Sequence, residues 1–88
     1  MKVRVNVTRR RIDAGRNDAT ACPIALAIKA HTRPSVEVVV NPWDITIGYM
    51  WRSVSRAELF VADFDAHKPV QPFSFVIDIP KRYLRKAK

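Results

Sequence analysis

One segment of the sequence, ACPIALAIKA at residues 21–30, is apolar at nine of its ten positions. This composition predicts a buried helix with Pro23 in its first turn, where no intrahelical N–H bond is lost. Ile24, Ala27 and Ile28 share one face of that helix by their spacing. A helix that is apolar on all sides must be covered around most of its circumference. We therefore expect a sheet beneath it and further chain around it.

The residues before this segment predict a strand and a short helix. Residues 3–7 alternate valine with a polar residue, which is typical of a half-buried strand. Thr8 is placed to cap a short helix that turns Ile12 to the core. Gly15 stands where such a helix ends, and we expect it in a left-handed conformation.

A hairpin is predicted after the apolar segment. Residues 36–40 have high strand propensity, and residues 41–44 are typical of a turn. The alternation from Ile45 to Trp51 predicts one continuous second strand. In that strand Ile45, Ile47, Tyr49 and Trp51 would share one face.

A second principal helix and a last strand complete the pattern. Ser55 and Glu58 have the spacing of a capping box, and Val54 is placed to pack on Leu59. The predicted core stripe of this helix is Ala57, Phe60, Val61 and Phe64. Residues 73–79 alternate strictly, with Phe73, Phe75, Ile77 and Ile79 inward, and proline stands at both ends.

These elements follow the order βαββαβ, which is typical of the ferredoxin-like split βαβ arrangement. We therefore predict a single α+β domain over residues 1–79 and a basic C-terminal tail over residues 80–88. The domain is expected to hold one four-stranded, mainly antiparallel sheet with two principal helices on one face. A meander sheet with a different strand order is the alternative.

Charge is unevenly distributed along the chain, whose net charge is +8. Residues 1–33 carry eight basic and two acidic side chains, and residues 34–79 carry three basic and six acidic ones. Residues 80–88 carry five basic side chains and no acid. Two basic ends predict an anionic partner, whether a nucleic acid, an acidic protein face or a nucleoprotein complex. Solvated cations that only keep a small domain soluble are the alternative.

Catalytic and metal-binding signatures are weak in this sequence. Cys22 is the single cysteine, which excludes an internal disulfide, and its apolar neighbours favour a buried, inert thiol. His31 and His67 match no metal-ligand spacing. No apolar run approaches the roughly 20 residues of a membrane span. We therefore expect no enzyme activity, no cofactor, no metal, no membrane partner and a cytoplasmic location.

Part of the sequence resembles a group of small proteins encoded by bacteriophages and prophages. The residues that carry the resemblance are Thr8, Ile12, Gly15, the segment 21–28, Phe73 and Phe75. Members of that group have a Cys-Pro-Ile-Ala-Leu-Ala segment after a short helix led by threonine. The resemblance implies an accessory protein of a mobile element in a bacterial host, whose product binds host or defence machinery. It implies no catalytic residue.

The predicted function is therefore non-enzymatic binding by a small basic protein. It would inhibit or modulate a host or defence nucleoprotein complex, of the CRISPR effector or RNA polymerase type, by occupying a site meant for phosphates or carboxylates. The candidate partner-binding residues are Arg9, Arg10, Arg11, Arg16, Trp43, Lys81, Arg82, Arg85, Lys86 and Lys88. Direct, weakly sequence-specific binding of DNA or RNA is the first alternative. A structural homo-oligomer, such as a homodimer, is the second.

Overall fold

The computed structural model describes residues 1–85, and Lys86 and Lys88 lie outside this range. Its helices are α1 (Arg9–Ala14), α2 (Pro23–Lys29) and α3 (Ser55–Asp65), followed by a 3₁₀ turn at Lys81–Tyr83. Its strands are β1 (Lys2–Val7), β2 (Val38–Val40), β3 (Ile45–Ile47), β4 (Met50–Arg52) and β5 (Phe73–Asp78). No helix within these described residues has the length and apolar composition needed to cross a membrane.

The strands form two separate sheets, so the prediction of a single four-stranded sheet in ferredoxin-like order is wrong. β1 pairs with β5 in an antiparallel ribbon, with Lys2 opposite Asp78 and Val7 opposite Phe73. β2, β3 and β4 form an antiparallel meander. The structure also holds three α-helices rather than two principal ones. The sheet is divided because β4 pairs with the edge of β3 to which β1 would have to pair in the predicted strand order.

The split arises at a two-residue turn that interrupts the predicted strand from Ile45 to Trp51. Gly48 and Tyr49 connect β3 to β4, and Ile47 lies opposite Met50. Gly48 has a φ of 61°, at the first turn position that a type II′ hairpin reserves for glycine. The turn changes which side chains face inward. Trp51 is therefore 66% exposed on the outer face. The prediction that it shares the face of Ile45 and Ile47 is wrong, since both isoleucines are buried.

Helix α2 is the centre of the core, as its composition predicts. Ile24, Ala25, Ala27 and Ile28 are all at most 1% exposed. α2 contacts both β1 and β2, so it joins the two sheets. Its N-cap is Cys22, whose Sγ lies 3.5 Å from the donating N–H of Ala25.

The corner between α1 and α2 is packed closely. Thr8 caps α1 as predicted, since its Oγ1 accepts a hydrogen bond of 3.3 Å from the N–H of Arg11. Gly15 does not adopt the predicted left-handed conformation, because its φ is −72°. Close approach explains the glycine instead. A Cβ at this position would lie 2.5 Å from Cδ of Pro23, far inside a normal contact distance.

Helix α3 and strand β5 also contribute side chains to the core. Ala57, Phe60 and Val61 are buried as predicted, and Phe60 stacks on Phe64 with ring centroids 5.9 Å apart. The predicted capping box and staple are wrong, because Val54 is the N-cap and Leu59 is 71% exposed. The inward faces of β5 are confirmed, since Phe75, Ile77 and Ile79 are buried and Phe73 is half-buried.

The segment over residues 80–85 lies against the rest of the protein. Tyr83 is buried, and its carbonyl accepts a hydrogen bond of 2.9 Å from the N–H of Arg33. Leu84 forms a β-bridge with Thr32, and the N–H of Arg85 donates to the carbonyl of His31 over 2.9 Å. The first six residues of the predicted basic tail are therefore held along the loop that follows α2.

Candidate functional site

The first group of predicted basic residues lies on and after α1. The guanidinium of Arg9 donates to the carbonyl of Val70 over 3.2 Å, and that of Arg11 donates to the carbonyl of Asn6 over 3.2 Å. Arg10 and Arg16 are exposed. Backbone carbonyls therefore orient two of these side chains without neutralising their charge.

The second group lies on the segment 80–85. Arg82 has its guanidinium carbon 4.7 Å from the centroid of the Tyr83 ring, which is a cation–π contact. The guanidinium of Arg85 donates to the carbonyl of Lys29 over 3.4 Å, and Lys81 is exposed. Lys86 and Lys88 belong to this predicted group but lie outside the described residues.

The fold keeps the two basic groups apart. α1 follows the end of the β1–β5 ribbon where Val7 lies opposite Phe73, and residues 80–85 follow the end where Lys2 lies opposite Asp78. Six paired residues separate these ends, which corresponds to about 20 Å. The predicted residues therefore form two basic regions rather than one continuous surface.

An open cleft of about 450 Å³ lies beside the second basic group. Its lining residues come from the loop after α2, from the β3–β4 turn and from the C-terminal segment. They are Arg33, Ser35, Val36, Glu37, Gly48, Tyr49, Arg82 and Tyr83. The volume falls within the range of small-molecule sites, about 300–1,000 Å³.

Hydrogen bonds between its three segments hold the cleft in shape. The N–H of Gly48 donates to the carbonyl of Glu37 over 2.8 Å, and the N–H of Arg33 donates to the carbonyl of Tyr83 over 2.9 Å. The hydroxyl of Tyr83 accepts a hydrogen bond of 3.2 Å from the N–H of Tyr49. Gly48 lies directly against the Tyr83 ring, since an added Cβ would be 2.7 Å from Cζ of Tyr83. The Tyr83 ring and the Gly48 backbone therefore form one wall of the cleft.

The cleft carries cationic donors. Arg33 uses its Nε to donate to the carbonyl of Leu84 over 3.2 Å, which fixes the guanidinium plane. The hydrogen bond from the N–H of Tyr49, and then that from the Arg82 guanidinium, lower the pKa of the Tyr83 hydroxyl. These two hydrogen bonds stabilise the ionised form of the hydroxyl, so the surroundings of the Tyr83 oxygen favour negative charge.

The cationic side chains are not neutralised within the protein. Among residues 1–85, the one ion pair joins the Met1 amino group to Asp78 at 2.8 Å. No lysine or arginine side chain in that range lies within 4.0 Å of a carboxylate oxygen. The positive charge therefore stays available to an anion.

Three aromatic side chains are exposed on the β2–β3–β4 sheet and its turns. Tyr49 is 99% exposed at the rim of the cleft, Trp43 is 78% exposed in the β2–β3 turn, and Trp51 is 66% exposed. Trp51 lies opposite Thr46 on the outer face. Trp43 and Tyr49 lie at opposite ends of β3, so the sheet separates them. Large apolar groups at these positions gain nothing from the protein's own core, and contact with a partner would bury them.

Cys22 offers no reactive thiol. It is 6% exposed, and burial raises the pKa of its thiol, so the nucleophilic thiolate is disfavoured. Across residues 1–85, no group of three His, Cys, Asp or Glu side chains is placed to hold a metal ion.

The cleft contains residues that sequence reasoning missed. Arg33 and Glu37 were not among the candidates, because they reach Arg82 only through tertiary pairing. Two local features mark residues that make close contacts there, without identifying their partners: a glycine inside an apparent strand and the apolar pair Tyr83-Leu84 within a basic segment. Comparison with known protein families, with curated proteins and with solved structures finds no match to this chain.

Proposed function

We propose that this protein binds single-stranded nucleic acid without catalysing a reaction on it. The observation that supports this proposal is the exposed ring of Tyr49 at the rim of a cleft that also carries the guanidinium groups of Arg33 and Arg82. Single strands are recognised by this combination, because bases stack on aromatic rings while cations contact the backbone.

Charge supports the same proposal. Lysine and arginine side chains that lack a carboxylate partner within residues 1–85 attract phosphates and release the counterions condensed on them. The basic region around α1 would then act on a strand that extends beyond the cleft. A duplex fits less well, since its stacked and paired bases offer no free face to Tyr49.

The experiment is a fluorescence anisotropy titration with a labelled single strand of about 12 nucleotides and with the matched duplex. We expect tighter binding of the single strand, and affinity that falls steeply between about 50 and 200 mM salt. Arg33→Gln combined with Arg82→Gln should weaken binding strongly. The charge-matched control is Arg56→Gln combined with Lys68→Gln, which removes two cations that do not line the cleft. Absence of binding at low salt, or equal effects of the cleft and control variants, would reject the proposal.

A second candidate function is docking on a protein component of a host or defence nucleoprotein complex. The exposed side chains of Trp43 and Trp51 favour it, because tryptophan is enriched among the residues that dominate protein interfaces. Capture of a stoichiometric partner from a nuclease-treated host lysate, lost in a Trp43→Ala, Trp51→Ala variant, would support it. Homo-oligomerisation stays a prediction that sedimentation mass tests.

A further inference from the structure

We infer that the cleft selects a nucleotide whose base presents N–H donors on its Watson–Crick edge, with guanine preferred. This inference rests on the proposed function and adds base selectivity to it. It starts from Glu37, which lines the same cleft as Arg33 and Arg82 yet makes no ion pair among residues 1–85. A carboxylate repels phosphate, so in this cleft its useful role is to accept hydrogen bonds from a base.

The backbone places Glu37 and Tyr49 within reach of one base. Glu37 lies opposite Gly48, one step beyond the pair of Val38 with Ile47, and the N–H of Gly48 donates to its carbonyl over 2.8 Å. Residues opposite each other in an antiparallel pair have Cα atoms about 5 Å apart. Tyr49 is the next residue along the chain, so a base stacked on its ring has an edge near the Glu37 side chain.

The donor pattern of the bases then sets the order of preference. An ionised carboxylate has two acceptor oxygens and no donor. Guanine offers N1–H and the N2 amino group side by side, which matches both oxygens. Cytosine and adenine each offer one amino group beside an acceptor nitrogen, and thymine and uracil present carbonyl oxygens on either side of a single N–H. Guanine is therefore expected to bind best and thymine or uracil worst.

The arginines contribute to affinity rather than to this choice. The Arg33 guanidinium is anchored through Nε, and its terminal amino groups remain to contact a phosphate. Arg82 is held over the Tyr83 ring on the same wall. Phosphates are the same for every base, so loss of these contacts weakens all strands by similar factors.

The test uses thymine strands of about 8 nucleotides, each with one central position changed to guanine, cytosine or adenine. We expect the guanine strand to bind the wild-type protein about tenfold more tightly than the all-thymine strand, the effect of one good bidentate contact. Glu37→Gln should abolish the preference while the all-thymine strand binds equally well or better. Asp63→Asn, which removes an exposed carboxylate from α3, is the charge-matched control and should keep the preference.

Each result has a distinct meaning. Equal binding of all four strands by the wild-type protein would overturn the inference and leave the proposed function standing. A guanine preference that survives Glu37→Gln, in a variant whose circular dichroism matches the wild type, would also overturn it. Binding of no strand would instead reject the proposed function. Tyr49→Ala should weaken all strands and Tyr49→Phe should not, because stacking needs the ring and not the hydroxyl.

Discussion

Substitution of Gly48 by alanine tests how the candidate cleft is held in shape. Two separate costs are expected at this position. The φ of 61° is unfavourable for a residue with a Cβ, at about 1–2 kcal/mol. The new Cβ would also lie 2.7 Å from Cζ of Tyr83, well inside a normal carbon contact, and such overpacking costs about 1–3 kcal/mol. Gly48→Ala should therefore lower the free energy of unfolding by about 2–5 kcal/mol.

The two costs can be separated in a second background. Tyr83→Ala removes the ring that the new Cβ would contact. The unfavourable φ at residue 48 remains in that background. In that background Gly48→Ala should cost only the backbone part, about 1–2 kcal/mol. The difference between the two backgrounds measures the contact between the turn and the C-terminal segment.

Urea denaturation followed by far-ultraviolet circular dichroism provides the measurement. Thermal denaturation gives a second estimate, since each kcal/mol shifts the Tm of a domain of this size by about 4–8 °C. Equal losses in the two backgrounds would refute the argument, because the Tyr83 ring would then not lie against the turn. No loss in the wild-type background would refute the turn conformation itself.

Further predictions concern the core, the corner between α1 and α2, and two titrating groups. Ile28→Ala removes a side chain that is 0% exposed and should cost about 2–5 kcal/mol in urea denaturation; a cost below 1 kcal/mol would contradict the central position of α2. Gly15→Ala should cost about 1–3 kcal/mol by steric contact with Pro23 alone, because its φ is ordinary, and an unchanged stability would show that this corner opens freely. Cys22 should react with a thiol reagent far more slowly in the native protein than in urea, and rapid native labelling would disprove its burial. Hydrogen bonds from the N–H and then the hydroxyl of Thr20 lower the pKa of Asp18 below its ordinary value. Its ionised form therefore stabilises the fold at neutral pH, and this contribution is lost as the pH falls through the folded-state pKa. The stability difference between the wild type and Asp18→Asn should shrink on acidification, and a difference that grows would contradict the assignment.

The elements that could be predicted are those whose pattern is local. Alternation of valines identified β1, apolar spacing identified α2 and the inward stripe of α3, and strict alternation between prolines identified β5. Each of these patterns reflects one face of one element against the core. The N-cap at Thr8 could also be predicted, because its hydrogen bond joins residues only three positions apart.

The turn at Gly48 and Tyr49 could not be separated from a continuous strand by periodicity. A two-residue turn leaves an apolar, strand-forming run on both sides, and the sequence from Ile45 to Trp51 has that character. The turn moves Met50 rather than Tyr49 to the side of Ile47, which exposes Tyr49 and Trp51. Because the prediction lacked this turn, it was wrong about the number of strands, the sheet order and the exposed side chains.

The candidate site was predicted only in part, for a related reason. Charge distribution along the chain identified Arg82 as a candidate, but it did not distinguish the cleft from the region around α1. Arg33 and Glu37 join Arg82 only because the C-terminal segment pairs with the loop after α2. Pairing over such a separation depends on the whole fold, so no local pattern reports it.

The pairing of β1 with β5 also has a consequence for synthesis of the chain. β1 is synthesised well before β5 and must wait for it, since Lys2 pairs with Asp78. Until the ribosome has released β5, the backbone of β1 has no strand to pair with and could pair with another nascent chain. Lys2 precedes the valines of β1 and Arg4 lies between Val3 and Val5, and charges in such positions oppose aggregation. Lys2 and Arg4 would therefore protect the unfinished chain from aggregation, independently of any partner that the folded protein binds.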